Sequence, residues 1–369
     1  MFCLREKQSG IFSKHMNNRI MDNVSISLNT TMNSTSEIHE LDPQIKRIGH
    51  ILYVASMVLY LVAFLLGTTG NGLVIWIAGF RMKKTINSVW FLNLAIADFL
   101  FTFFLPIIFV YFVLYFHWPF GNFMCKLYST LTFINMFASV FLLTAISIDR
   151  CVSVVYPVWS QNHRTPRLAS LVTLIIWLLA LCASVPYFVF RDTYVEHHGS
   201  ITCYIDYGST DDGVLTDSGK LNIKATVTTR FILGFFIPFA IIVFCYTVIA
   251  FKLKMNHTFT STKPFKIIVA VLISFFVCWF PFHVFSFLEM SRHTNEDIPQ
   301  SILDIGIPIT TSLAFLNSCV NPFLYVFMGR EVKSIFRNSI QVALENAFSE
   351  DLPKSYVKSK SKTIESNLV

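Results

Sequence analysis

Seven long apolar segments, separated by short polar connections, constrain this chain more than any other feature. They cover approximately residues 50–78, 87–115, 122–151, 167–190, 227–253, 265–290 and 301–327. Each is long enough for an α-helix to cross the roughly 30 Å hydrocarbon core of a bilayer. We therefore predict an all-α membrane protein, built as a seven-transmembrane helix bundle.

Composition agrees with this reading and excludes an ordinary soluble domain. Hydrophobic residues make up 54% of the chain and charged residues only 14%, well outside the usual balance of soluble proteins. The formal net charge of +7 could indicate nucleic-acid binding. The basic residues, however, sit mainly in short runs between the apolar segments, where the positive-inside rule explains them. No nucleic acid is expected as a partner.

Charge and glycosylation signals predict the same orientation. Lysines and arginines follow the first, third, fifth and seventh segments, whereas acidic residues concentrate in the other connections. Three Asn-X-Ser/Thr acceptors, at Asn23, Asn29 and Asn33, lie in the polar tail before the first segment. We therefore expect an extracellular amino terminus, a cytoplasmic carboxyl terminus and residence in the plasma membrane. Translation could begin at Met1 or at Met21.

The chain divides into four parts. Residues 1–48 form the expected extracellular glycosylated tail, and residues 49–328 the transmembrane bundle. Apolar residues at helical spacing in 329–342 predict an amphipathic helix on the inner membrane face, in contact with lipid. Residues 343–369 are rich in Ser, Lys and Glu and are expected to be disordered. Phosphorylation there would add charge that a partner could read, but an ordinary solvated tail fits the composition equally well.

One ionisable residue stands in the middle of an apolar segment. Asp98, in Asn93-Leu-Ala-Ile-Ala-Asp98, is costly at that depth and is therefore a functional candidate. Its expected company is polar, from three other segments: Asn71, Asn135, Ser139, Asn317 and Asn321. Carboxylate, hydroxyl and amide oxygens suit a hard cation such as sodium, although a water-filled polar network would use the same groups. If sodium binds there, Asp98 is part of a metal site.

Prolines inside the later segments mark candidate hinges. A proline removes a backbone hydrogen bond and kinks a helix, which membrane bundles tolerate. Pro281 follows Phe275 and Trp279, and Pro322 lies between Asn321 and Tyr325. These bulky and polar neighbours favour pivoting over a fixed kink.

Taken together, these motifs resemble the signature of rhodopsin-like G-protein-coupled receptors. One motif falls in each segment, in order: Asn71, Asp98, Cys125 with Asp149-Arg150-Cys151, Trp177, Pro238 with Tyr246, Cys278-Trp279-Phe280-Pro281, and Asn321-Pro322 with Tyr325. The resemblance covers about residues 50–340. It implies a receptor and not an enzyme. A transporter would be expected to show internal repeats, and none is visible.

Finer motifs resemble the chemoattractant branch, which holds the formyl-peptide, chemerin and complement anaphylatoxin receptors. They include Trp118-Pro-Phe-Gly121 and Asn346-Ala-Phe-Ser-Glu-Asp351, while Val189-Phe-Arg-Asp-Thr193 looks nearest to the chemerin receptors. The branch implies a peptide or small-protein ligand, an inhibitory-class heterotrimeric G protein, and a role in leukocyte chemotaxis or inflammation. Alternatives are a formyl-peptide or anaphylatoxin receptor, or a non-signalling scavenger.

The resemblance also implies roles for individual residues. Cys125 and Cys203 would form a disulfide over the ligand pocket, Arg230 would meet a ligand carboxylate, and Glu289 would face basic ligand groups. Phe133 stands where well-known formyl-peptide receptors place an Asp, and Thr226 stands where they place a second Arg, one helical turn before Arg230. Both differences argue against their specificity.

At the inner end the family implies a switch. Arg150, restrained by Asp149, would be released to a G protein. The mobile residues would be Tyr246, Phe275, Trp279, Pro281, Pro322 and Tyr325. A receptor kinase and arrestin would act through the phosphorylated tail. No cofactor is expected beyond the possible sodium ion.

Overall fold

The computed structural model describes residues 43–196, 199–210, 214–255, 263–294 and 298–328. Within these ranges, seven helices are long and apolar enough to cross a membrane, which confirms the predicted bundle. From the first to the seventh span they are Arg47–Arg81, Ile86–Val113, Gly121–Val155, Pro166–Val189, Asp217–Lys252, Leu272–His293 and Ser301–Pro322. The three glycosylation acceptors, the amphipathic segment 329–342, the tail 343–369 and the side chain of Tyr325 lie outside the described residues.

Several spans consist of more than one regular element. The helices are α1 Pro43–Trp76, α2 Ile86–Phe103, α3 Leu105–Val113, α4 Gly121–Val155, α5 Pro157–His163, α6 Pro166–Val189, α7 Asp217–Phe231, α8 Ile237–Met255, α9 Lys263–Thr294 and α10 Gln300–Met328. Single π-helical turns cover Ile77–Arg81 and Ile232–Phe236. Strands β1 Arg191–Val195 and β2 Ile201–Ile205 form an antiparallel hairpin.

The third span is the centre of the bundle. In its most apolar window 72% of the residues are buried, more than in any other span described. Phe137, Val140 and Leu142 are almost fully buried and belong to a core that also takes in the sixth span. Since lipid tails are as apolar as these side chains, close packing and not the hydrophobic effect holds the helices together.

The fifth span begins about ten residues before the predicted boundary near 227. Thr216 caps α7, because its Oγ1 accepts a hydrogen bond from the Gly219 amide at 3.0 Å, and Asp217 places negative charge in the first turn. Both features stabilise a helix start. Hydropathy detects only the apolar part of a helix, so this polar extension escaped it.

Pro238 explains the irregular middle of the fifth span. Its ring would crowd the carbonyl of Gly234 in a regular α-helix, and the π-helical turn Ile232–Phe236 lies at that point. A Cβ on Gly234 would come within 2.9 Å of Met136 Cε. The turn therefore stands where the backbone of the fifth span lies against side chains of the third span.

The β1–β2 hairpin was not predicted, because its five-residue strands mix polar and apolar residues. It lies over the end of the bundle at which the third span begins. A disulfide joins Cys203 of β2 to Cys125 of α4, as the resemblance implied. The Trp118 amide also donates a 2.7 Å hydrogen bond to the Ile201 carbonyl, and the Asn122 amide donates to the Asp192 carboxylate. The hairpin is thus fixed to the bundle at both strands.

Candidate functional site

A pocket opens beneath the hairpin, between the third, fifth, sixth and seventh spans. It measures about 520 Å³, including its open mouth. Its lining is largely apolar and aromatic, with a few polar groups, which is the usual character of a ligand site. The lining residues are Phe133, Ile205, Tyr207, Ile223, Val227, Arg230, Phe282, Phe285, Ser286, Glu289, Ile307 and Thr310.

Arg230 is the most unusual group in this pocket. It is only 6% exposed, and its guanidinium carbon lies 4.9 Å from the centre of the Phe282 ring and 5.4 Å from that of Phe133. No carboxylate in the described part of the chain lies within ion-pair distance of it, and its Nε has no hydrogen-bond partner there. Aromatic faces attract a cation but do not replace an anion. The pocket therefore presents a buried positive charge ready for an anionic ligand group.

Phe133 and Tyr187 form the aromatic wall beside this arginine. Their rings are stacked with a centroid distance of 3.3 Å. Phe133 thus gives Arg230 a π face at the position where an acidic residue would have neutralised it. Thr226, one helical turn before Arg230, is buried and adds no second charge. A pocket with one arginine and no acidic partner at these positions differs from the formyl-peptide design noted above.

Glu289 and Tyr207 are further polar groups of the pocket, in addition to Ser286 and Thr310. Glu289 of α9 lines the same pocket, as the resemblance implied, and it already has an interaction within the protein. Burial raises the pKa of Tyr207, which lies just after β2, so its phenol stays protonated at neutral pH. The pocket therefore offers a cation, a carboxylate and a hydroxyl.

Deeper in the bundle, Asp98 is fully buried and connects three spans. The Asn135 amide donates to Asp98 Oδ1 at 3.0 Å, and the Asn321 amide donates to Oδ2 at 2.7 Å. Ser318 joins them by donating to Asn135 Oδ1 at 3.3 Å. Asn71 binds instead to backbone, donating 2.9 Å hydrogen bonds to the carbonyls of Gly67 and Ser318. Asp98, Asn135 and Asn321 of the predicted cluster are thus in direct contact, and Asn71 is linked to them through Ser318.

Several buried oxygens of this cluster have no partner among the described residues. They are Asn71 Oδ1, Ser139 Oγ, Asn317 Oδ1 and Asn321 Oδ1. Buried polar atoms are normally satisfied, so these oxygens call for a further group such as water or a cation. An ionised carboxylate surrounded by amide and hydroxyl oxygens is the donor set that a hard cation prefers. The residues thus fit sodium, and they also fit a water-filled network.

At the end of the third span opposite the hairpin, Asp149 has a different partner from the expected one. Arg164, just before α6, donates from Nε and Nη2 to the two Asp149 carboxylate oxygens, each at 2.6 Å. Arg150 donates instead to the side-chain carbonyl of Asn87 in α2. The expected restraint of Arg150 by Asp149 is therefore not the arrangement seen. The planar guanidinium of Arg164 matches both oxygens of the Asp149 carboxylate. Arg150 is turned away from Asp149, towards α2.

The residues of the expected switch, apart from the side chain of Tyr325, lie in the described part of the bundle. Trp279 is 2% exposed and packs between Phe275 and Phe282, with ring centroids 6.1 and 5.6 Å away. Pro281 lies inside α9 and Pro322 inside α10. Tyr246 is half-buried beside Arg150. Phe282 thus contacts both the indole of Trp279 and the guanidinium of Arg230.

Sequence reasoning missed several residues that take part in these sites. Tyr187 and Phe282 frame Arg230, Ser318 joins the Asp98 cluster, and Arg164 and Asn87 hold Asp149 and Arg150. Ser318 had a signal, since it is a polar residue between Asn317 and Asn321. Arg164 had no such signal, because sequence spacing does not show which acid a loop arginine can reach.

Comparison with known proteins agrees with this geometry. The family model described as "7 transmembrane receptor (rhodopsin family)" matches residues 70–325. Chemerin-like receptor 1 of Rattus norvegicus is 45% identical over 342 residues, which cover 90% of each chain. Chemerin-like receptor 1 of Homo sapiens is 46% identical over 328 residues, covering 87% of this chain and 86% of that receptor. Formyl peptide receptor 2 of Mus musculus is 42% identical over 348 residues, covering 92% and 96% respectively.

Proposed function

Because the chain belongs to the rhodopsin family of seven-transmembrane receptors, we propose that it is a G-protein-coupled receptor for a chemerin-like protein chemoattractant. The observation that carries this proposal is the buried, unneutralised Arg230 in the outer pocket. A peptide or protein that inserts its carboxyl terminus would complete the missing ion pair. The partner inside the cell would be an inhibitory-class heterotrimeric G protein.

The formyl-peptide alternative is less well supported. Formyl peptide receptor 2 of Mus musculus is nearly as similar over the whole chain as the chemerin-like receptors. The local chemistry differs, however, because Phe133 and Thr226 stand where that design has an acid and a second arginine. Likewise the anaphylatoxin alternative has no specific residue in its favour.

Further partners and the placement in the cell follow from the same reading. The amino terminus would lie outside, with glycans on Asn23, Asn29 and Asn33, and the protein would reside in the plasma membrane. A receptor kinase and arrestin would act on the tail from residue 343. The segment 329–342 would lie on the inner leaflet.

Activation of an inhibitory-class G protein by a panel of three ligands tests this function. Cells that express the receptor are treated with chemerin, a formyl peptide or a complement anaphylatoxin, and dissociation of the heterotrimer is measured by energy transfer. We expect a response to chemerin at the lowest concentration. Chemerin binding with no dissociation would identify a scavenger, and a response to the formyl peptide alone would favour the alternative. Cells without the receptor provide the baseline.

A sodium ion held by Asp98 is the second part of the proposal. Asp98, Ser139 and the amide oxygens of Asn71, Asn317 and Asn321 would hold the ion. It would neutralise the buried carboxylate and favour one arrangement of the bundle. The unpartnered oxygens of this cluster support the idea.

Asp98→Asn should abolish sensitivity of agonist binding to sodium. In the unmodified receptor, replacing potassium by sodium should lower agonist affinity by about fivefold or more, the lower end of typical coupling between sites. The asparagine variant keeps the shape but not the charge, so its affinity should be equal in the two salts. Ser184→Ala, at another fully buried polar position, serves as control. Sodium dependence that survives in Asp98→Asn would favour the water-filled network.

A further inference from the structure

The inner end of the third span contains an ion pair in which two arginines compete for one carboxylate. Asp149 and Arg150 are neighbours in the chain, yet the carboxylate binds Arg164. The side chains of Arg164 and Asp149 are 24% and 11% exposed, so solvent screens this pair less than a surface pair. A bidentate arginine–carboxylate contact of this kind is the strong form of an ion pair.

Arg150 remains without an acidic partner in the described residues. Its contact is the neutral side-chain carbonyl of Asn87, and its buried Nε makes no hydrogen bond there. A partly buried guanidinium with only a neutral acceptor is less stable than one paired with an acid. Arg150 would therefore gain by turning to Asp149 if that carboxylate were available.

We propose that Arg164 is a positioning residue, which keeps Asp149 away from Arg150 and so leaves Arg150 available to the G protein. Asn87 holds Arg150 at that location in the meantime. Arg164 thus acts through Asp149 and touches neither ligand nor G protein in this role. The effect on signalling rests on the proposed function. The transfer of the Asp149 carboxylate from Arg164 to Arg150 does not.

Arg164→Ala should lower agonist-driven G-protein activation, since Asp149 is then free to capture Arg150. We expect a loss of potency of roughly fivefold, within the usual range of coupling between sites. Adding Asp149→Asn to Arg164→Ala should restore the response, because the amide has no charge with which to hold Arg150. Arg164→Lys, which keeps the cation beside Asp149, should retain most of the response.

The responses of these variants distinguish competition between Arg164 and Arg150 for Asp149 from a role of Arg164 in anchoring the inner loop. If Arg164 only anchored the loop, Asp149→Asn would be as damaging as Arg164→Ala, and the double variant would not recover. Arg167→Ala removes an exposed cation close by and should leave the response unchanged. All variants are compared at matched cell-surface levels. A double variant no better than Arg164→Ala would overturn the proposal.

A structure of the Arg164→Ala receptor, determined by electron cryomicroscopy without ligand or G protein, tests the exchange directly. Arg150 should then donate to the Asp149 carboxylate at about 2.9 Å, the usual length of such a bond. If Arg150 still binds Asn87 in this variant, Arg150 does not move to Asp149 and the proposal is refuted, whatever the signalling result. If the unmodified receptor activates no G protein, the proposed function fails, and this structure still decides the inference.

Discussion

Arg230→Ala should weaken activation by a peptide agonist with a free carboxyl terminus by at least about 30-fold, which corresponds to the roughly 2 kcal/mol lower bound for truncating a buried, hydrogen-bonded charge pair. The reason is geometric. Arg230 is buried against Phe133 and Phe282, without an acid of the protein beside it in the described residues. Removing it leaves the carboxylate of the ligand in an apolar pocket with no counter-charge.

The agonist offers the complementary change. Amidating its carboxyl terminus should cost about as much as Arg230→Ala, and combining the two changes should cost little more than either one alone. Such non-additivity marks two groups that contact each other. Losses that simply add would remove Arg230 from this role.

Two further variants refine the test. Arg230→Lys keeps the charge but loses the planar fork, so its loss should be intermediate. Lys224→Ala removes an exposed cation from α7 and should have no comparable effect. Radioligand binding and cell-surface labelling separate affinity from expression.

Loss of the disulfide should be the second large effect. Cys203→Ser is expected to lower agonist affinity by about tenfold or more. The hairpin leads directly into Ile205 and Tyr207, which line the pocket. Without the bond to Cys125, binding would have to order these two side chains, at a cost of about 0.5–1.5 kcal/mol each.

The bundle contains its own controls for this variant. Cys125→Ser and the double variant should match Cys203→Ser, because each removes the same bond. Cys182→Ser changes a free, exposed cysteine of the fourth span and should bind the agonist normally. Equal affinity in Cys203→Ser and the unmodified receptor would mean that hydrogen bonds, including those of Trp118, Asn122 and His117, are enough to hold the hairpin in place.

Much of the bundle could be predicted because membrane insertion leaves few alternatives. A segment of twenty apolar residues has to be a helix, so five of the seven spans begin within three residues of their predicted positions, and the helix that contains the sixth begins within two. The fifth differs because its start depends on Thr216 and Asp217, local polar groups to which hydropathy is blind. The hairpin depends on the disulfide and on contacts with Trp118 and Asn122, which short mixed strands do not reveal.

The sites divide in the same way. Asp98 and its asparagines could be found because a buried carboxylate requires polar partners at the same depth. Arg230 could be found through the resemblance, but its aromatic surroundings depend on how three helices meet. The pairing of Asp149 with Arg164 was beyond prediction, since it depends on the path of the connection through α5 between the third and fourth spans.

The π-helical turn in the fifth span alters the phase of that helix. At about 100° per residue, Arg230 and Tyr246 would point roughly 160° apart along a continuous α-helix. One additional residue accommodated in a π turn takes up about 100° of this angle and leaves about 60°. Both side chains can then face the inside of the bundle, Arg230 towards the outer pocket and Tyr246 towards Arg150. The π turn Ile232–Phe236 thus keeps the two halves of the helix in phase. A regular α-helix over the same residues would turn one half out towards lipid, whereas deleting one residue within the turn should restore a regular helix without changing the phase.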